Sequence, residues 1–378
     1  MELRDFVEAV TADEPPLTLT ADDIVAAGRR VERRRRAGIA SAGAAALVAV
    51  AVGGVFLLPS QTGRQGAAPL PSVAVTSKAA AVTWRTAEPF SFTFEAFDAG
   101  KFQVQDPSVT STAYQMASVY AKGRTTNDKP STPDAPDGDP NLFAYLTVYR
   151  PGAFDPSTIK NGRPLTVAGH KAVQATLPVG LNPARPIDPG NKELAWEYTD
   201  NAWAVVTSLS PDAADPSFAD LAALVTGLKP SPPRPALLPF KVGYVPSGYR
   251  PVETGTHVLP GRDGIADARG GAYGGATFAE PAPATTGLGA PYGLIKGSFD
   301  ISVAPSRSAN QRAQAGKTTC SSALCNLWSA DGKVQVQVSA QNTGMHLTTA
   351  ELRKIAQSVT VADVNDEATW IPAAEALK

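Results

Sequence analysis

The sequence predicts an α+β protein: one transmembrane helix plus two tandem repeated extracytoplasmic modules, each an antiparallel sheet covered by a C-terminal helix. Three observations predict it. Residues 37–58 are 22 positions without a charge, set between Arg33-Arg34-Arg35-Arg36 and Pro59. From Trp84 onward, apolar and polar positions alternate with the period of half-buried strands. That texture then repeats. Trp196-Glu197-Tyr198-Thr199, Asp200-Asn201 and Trp203-Ala204-Val205-Val206 match Leu327-Trp328-Ser329-Ala330, Asp331-Gly332 and Val334-Gln335-Val336-Gln337-Val338. Asp200 and Asp331 are 131 positions apart, as are Leu221 and Leu352, so the match runs without a gap from turn to helix.

Residues 1–36 read as a cytoplasmic helical segment. Leu3, Phe6, Val7 and Val10 share one face at helical spacing, and Pro15-Pro16 ends that helix. A second helix opens on Thr20-Ala21-Asp22-Asp23, an N-cap with an acid three residues on, and carries Ile24 and Val25. A segment this short cannot bury these side chains alone. They are therefore the candidate partner-binding residues, against the plainer reading of a solvated, membrane-hugging tail. About 20 apolar residues span a bilayer core, so residues 37–58 fit one crossing. Arginines stay on the cytoplasmic side, so Arg33, Arg34, Arg35 and Arg36 set the topology: N-terminus inside, residues 59–378 outside, at the cell membrane. The run exceeds a signal-peptide core and lacks a clean small-x-small site after it, which favours an uncleaved anchor.

Residues 59–84 have no period and read as a linker. Module 1 spans 85–229 and module 2 spans 238–364, with a Pro-rich hinge at 230–237 and a tail at 365–378. Pro89-Phe90-Ser91-Phe92-Thr93-Phe94 resembles Pro239-Phe240-Lys241-Val242-Gly243-Tyr244, and Leu146-Thr147-Val148-Tyr149 matches Ile301-Ser302-Val303-Ala304. Asp-Asn and Asp-Gly suit the positive dihedrals of tight hairpins. The closing helices carry Phe218, Leu221, Leu224, Val225 and Leu228, then Leu352, Ile355, Ala356 and Val359, and Thr348 with Glu351 forms a capping box.

The 34 basic and 35 acidic residues give a net charge of −1, so nothing global argues for nucleic acid. The only cysteines, Cys320 and Cys325, are four residues apart in between, too wide for a redox C-x-x-C, and in a non-reducing compartment they predict a local disulfide. No nucleophile elbow and no H-E-x-x-H occurs, and His170, His257 and His346 have no neighbouring ligand, so no catalytic residue, metal or cofactor is assigned and no enzyme is expected. Asp137, Asp139 and Asn141 alternate as calcium ligands do, but the glycine is misplaced for an EF-hand and a solvated acidic loop is the better reading. Phe90, Phe92, Phe94, Phe102, Trp196 and Trp203 read as ordinary core, with a greasy cavity as the alternative.

The N-terminal layout resembles a class of actinobacterial single-pass membrane proteins of the sigma-factor-associated, anti-sigma-like kind. The resemblance rests on the Leu3-Arg4-Asp5-Phe6 helix, the helix ending in Gly28-Arg29-Arg30, the Arg cluster and the Ala-rich span, about the first 60 residues. The inner segment lacks the H-x-x-x-C-x-x-C of the zinc-binding anti-sigma domain. The resemblance implies signalling: an extracytoplasmic sensing and binding region, with residues 1–36 contacting a sigma factor or similar cytoplasmic regulator. The alternative is an envelope lipid or lipoprotein carrier, because the outer modules look somewhat like lipoprotein-carrier domains. The partners expected are thus the lipid bilayer, a cytoplasmic regulator, and a lipid or envelope ligand outside.

Overall fold

The computed structural model describes residues 88–122, 142–179, 188–209, 216–266, 271–285, 295–340 and 347–378, all within the unit Leu70–Lys378. The first half runs β1 (Ser91–Phe94), β2 (Phe97–Ala99), β3 (Phe102–Val104), β4 (Val109–Ser111), β5 (Tyr114–Ala121), β6 (Ala144–Tyr149), β7 (Arg163–Val167), β8 (His170–Val179), β9 (Asp188–Thr199), β10 (Ala202–Ser208), α1 (Phe218–Thr226) and β11 (Pro230–Pro235). The second runs β12 (Leu237–Leu238), β13 (Phe240–Val242), β14 (Arg250–Thr256), α2 (Gly261–Ala266), β15 (Gly274–Ala279), β16 (Ser298–Pro305), α3 (Ala309–Arg312), β17 (Thr318–Cys320), β18 (Leu324–Trp328), β19 (Val334–Ser339), α4 (Thr349–Ser358), β20 (Val359–Val361), β21 (Ile371–Pro372) and α5 (Ala373–Ala376).

The α+β expectation is corrected in two respects. The structure is mostly β-sheet, and the two halves share a single 15-stranded sheet in the order β17-β18-β19-β16-β15-β14-β4-β5-β6-β10-β9-β8-β7, with β2 and β3 branching from β5. The joint is the antiparallel pair β4–β14, where Val109, Thr110 and Ser111 oppose Gly255, Thr254 and Glu253. An edge strand carries unpaired backbone donors and acceptors, and each half satisfies the other's. The membrane-protein expectation is corrected as well. Among the described residues no helix is long and apolar enough to cross a membrane. The longest of them, α4, has 10 residues, about 15 Å at a helical rise, which is half a bilayer core. Residues 37–58, where the span was expected, lie outside the described residues, as do Arg33 to Arg36 and the segment before them.

The same order of elements recurs on the two sides of the joint. β6, β10 and β9 lie side by side, as do β16, β19 and β18; the hairpin strands lead into α1 and α4. Asn201 (φ 56°) and Gly332 (φ 72°) turn the two hairpins; a side chain at Gly332 would meet the Arg312 carbonyl. The strand after each helix returns to an early strand of its half: β11 pairs with β1, and β20 with β13. The Pro-rich stretch expected as a hinge is therefore itself a strand, with Pro230 opposite Phe94 and Pro235 opposite Ser91. Prolines lack the amide donor, which confines such a strand to an edge.

Both closing helices begin on a capping box. The Ser217 hydroxyl accepts from the Asp220 amide (3.2 Å) and the Thr348 hydroxyl from that of Glu351 (3.2 Å), while each acid accepts the cap residue's own amide at 2.8 Å. Leu221, Leu224 and Val225 of α1 are buried on one side of the sheet with Ala144, Leu146 and Val206. Leu352, Ile355 and Ala356 of α4 are buried with Ile301, Val336 and Val338.

The two halves differ on the opposite face. In β6, Tyr145 and Tyr149 point away from the α1 side, and in β10 Trp203 and Val205 do; all join a third core with Phe154, Ile159, Val258 and Ile265. Strands buried on both faces read as continuous apolar runs, which is the texture of β10. In β19 the alternate positions are Gln335 and Gln337, whose amides donate to the Asn326 oxygen at 2.8 and 3.0 Å. The tail is built into the core of the second half. Ala373, Ala376 and Leu377 are buried in the same core as Phe90, which immediately precedes β1, and Phe92 of β1 itself.

Candidate functional site

Cys320 and Cys325 form a disulfide and stand directly opposite each other in the β17–β18 hairpin. The six candidate partner-binding residues, the acidic loop with Asp137, Asp139 and Asn141, and His346 all lie outside the described residues. His170 packs edge-on against Trp196, with ring centres 5.4 Å apart. His257 lies 3.1 Å from a Glu367 carboxylate oxygen and against the Trp370 ring. The six aromatic candidates are buried in separate cores: Phe90 and Phe92 in one, Phe94, Phe102 and Trp196 in the second, Trp203 in the third. They do not line one shared cavity. Among the described residues no group of three or more metal-ligating side chains converges.

What the fold does bring together is a buried polar cluster at the joint. Ser111 ends β4, and its hydroxyl accepts the amides of Ala113 (3.0 Å) and Tyr114 (2.9 Å), tightening the turn into β5. That turn aims the Tyr114 hydroxyl across the joint, where it donates to the Glu253 carboxylate of β14. Only 5% of Glu253 is exposed. Along the same row, Glu253 opposes Thr277, and Thr277 opposes Asp300, whose carboxylate accepts the Thr277 hydroxyl at 2.6 Å.

Arg262 of α2 enters from the second half and is 4% exposed. Its guanidinium lies 4.8 Å from the centre of the Tyr145 ring and donates to the Thr207 hydroxyl (3.4 Å), which in turn donates to Glu193 (2.9 Å). The Tyr145 hydroxyl closes the circuit by donating to the Arg262 carbonyl at 3.2 Å. The cluster thus joins β5, β6, β9 and β10 of the first half to β14 and α2 of the second.

Burial dominates its electrostatics. It pushes the Glu253 carboxyl up to about 7; the Tyr114 hydroxyl and the Gly261 amide oppose the shift, and the Asp300 charge adds to it. Glu193 and Asp300 are also raised by burial, each partly offset by its threonine hydroxyl. Burial lowers Arg262 to about 10, against the pull of Tyr149, Tyr145 and Glu193. Burial raises the Tyr114 and Tyr149 hydroxyls well above their usual range, so both stay neutral and Tyr114 remains a donor to Glu253. The arrangement can take up and release a proton at Glu253 near neutral pH.

Neither Glu253 nor Arg262 stands out in the sequence by spacing or motif. The available signal was an acid among Val252, Thr254 and Gly255 inside a strand, a residue type almost never buried without a partner. Comparison with models of known protein families and with curated proteins finds no match for this chain.

Proposed function

We propose that residues 88–378 form a non-enzymatic sensing and binding region that works outside the cytoplasm. The carrying observation is the Cys320–Cys325 disulfide, because such bonds persist in oxidising compartments and are rare where thiols are kept reduced. Support for a non-enzymatic role comes from the joint. Glu253 is bonded to Tyr114 across the joint and Asp300 to Thr277 within the second half, so both acids are satisfied internally instead of facing a substrate. Sensing fits an assembly in which two repeated halves share one sheet, since a ligand held by one half bears directly on the other.

The test is thiol labelling in living cells. With export, a membrane-permeant maleimide leaves Cys320 and Cys325 unlabelled until a reductant is added. Full labelling without reductant would overturn the proposal. The signalling part of the proposal assigns residues 1–36 a cytoplasmic regulator such as a sigma factor. A photo-crosslinker at Val25 of the full-length protein is expected to capture it, and capture of abundant background alone would remove that partner.

A further inference from the structure

The first half builds a seat for a cation, and the cation that fills it comes from the second half. The seat is the Tyr145 ring of β6, with the Thr207 hydroxyl of β10 beside it, and that hydroxyl donates to the Glu193 carboxylate of β9 at 2.9 Å. Tyr149 and Tyr114 stand close enough to act on the same charge. β6, β10 and β9 are each paired on both sides within the sheet, so the fold fixes these walls whether or not the seat is filled.

Arg262 is the occupant. It sits on α2, a helix of six residues entered through Gly261 at φ 81°, a conformation glycine adopts without strain. Its guanidinium lies 4.8 Å from the Tyr145 ring centre and reaches the Thr207 hydroxyl at 3.4 Å, long for a hydrogen bond. Burial outweighs the attraction of its neighbours, and its pKa falls to about 10. An aromatic face with an acid beside it is a composition that attracts organic cations, and the cation now on it is tethered and loosely held.

We infer that Tyr145, Thr207 and Glu193 form a recognition site for a guanidinium group, in which Arg262 is a built-in, displaceable ligand. A free guanidinium compound competes with Arg262, and its binding lifts α2 from the third core, where Ile265 and the preceding Val258 anchor it. Hydrogen bonding selects the class. A planar guanidinium presents N–H donors to the oxygens of Thr207 and Glu193, and a quaternary ammonium has none to offer. This inference rests on the reading of residues 88–378 as a sensing and binding region, and it supplies a ligand class and a route from ligand to joint.

The test is calorimetric titration of the purified full-length protein with methylguanidinium, its neutral isostere methylurea, and tetramethylammonium, all at one ionic strength. Arg262→Ala empties the seat and is expected to bind methylguanidinium about tenfold more tightly than the wild type does. Methylurea and tetramethylammonium are each expected to bind that variant about tenfold more weakly than methylguanidinium. Adding Glu193→Gln to Arg262→Ala is expected to weaken methylguanidinium about tenfold. N-acetylarginine amide distinguishes the sources: tighter binding than methylguanidinium assigns the site to an arginine side chain, and weaker binding to a small free guanidine. A folded Arg262→Ala protein that binds no cation, equal binding of methylurea, or equal affinity of wild type and variant for methylguanidinium would overturn the inference. If Arg262→Ala does not fold, Arg262→Lys carries the comparison. Lysine is the poorer occupant, so methylguanidinium should bind about threefold more tightly than to wild type, and an affinity no higher than that of wild type would overturn the inference. Each of those results would leave the thiol-labelling outcome, and hence the proposed compartment, untouched.

Discussion

The Tyr114 hydroxyl donates to the Glu253 carboxylate across 139 positions of chain, and the two residues belong to opposite halves of one sheet. The bond is buried and sits directly beside β4 with β14, among the described residues the one strand pair that joins the halves within that sheet. Backbone pairing at the joint covers three residue pairs and is extended by the Thr256 amide donating to the Ser108 carbonyl at 2.8 Å and the Thr112 amide to the Val252 carbonyl at 3.2 Å. The side-chain bond adds to this backbone pairing.

Glu253 should make stability depend on pH. Its folded-state carboxyl titrates at about 7 against 4.5 for the unperturbed group, so the native state keeps a proton that the unfolded chain has released. Stability then falls as pH rises from about 4.5 to about 7 and levels off above, by about 3 kcal/mol from this group. Asp300 and Glu193, also raised, act in the same direction. Glu253→Gln keeps an acceptor for Tyr114 without the charge. Denaturant unfolding at pH 8 should show it more stable than the wild type by about 2 kcal/mol, with a flatter profile between pH 5 and 7; a variant that is less stable at pH 8 would contradict the assignment.

Arg262→Met should have the opposite effect. It removes the cation that lies over Tyr145 and donates to Thr207, and with it a favourable charge near the half-buried Glu193. Loss of a hydrogen bond from a charged group should cost about 1.5–3 kcal/mol, to be read from chemical denaturation at pH 7. A loss below 1 kcal/mol would show that the guanidinium contributes little to the joint.

How much of this was legible in the sequence depends on distance along the chain. The hairpins at Asp200-Asn201 and Asp331-Gly332 and the cap at Thr348 are set by neighbours within a few residues, so their patterns are visible in the sequence. The union of the sheets is not. It depends on Val109, Thr110 and Ser111 finding Gly255, Thr254 and Glu253, and no period links strands that far apart. The opposite face of the first half was equally hidden. The burial of Trp203 and Val205 depends on Phe154 and Ile159 folding over them from a loop, and on Val258 and Ile265 arriving from the other half. The α+β reading failed there, because counting one helix per module suggested two sheets, each with its own cover.

A shared sheet should melt as one body. Leu221→Ala and Leu352→Ala each empty a fully buried site beneath a different helix, and each should cost about 2–5 kcal/mol. Differential scanning calorimetry should show a single transition, lowered by either substitution, for the described unit. Two peaks, each moved by only one of the variants, would mean that the halves unfold separately.

The disulfide closes a loop with a sequence separation of 5. Cys320→Ser should therefore cost only about 2 kcal/mol, the chain-entropy value for so short a loop. Unfolding of wild type and variant under oxidising conditions measures it, and a loss above 4 kcal/mol would require a contribution beyond loop closure.

Phe90, just before β1, and Phe92 within it enter a core otherwise built from residues 236–377. During synthesis these two aromatics emerge early, yet the surfaces that bury them are made last, with Ala373, Ala376 and Leu377 at the far end of the core. The first half cannot complete itself as it leaves the ribosome or an export channel. Until the second half is delivered, β1 can pair with β11, but Phe90 and Phe92 have no core to enter and stay uncovered.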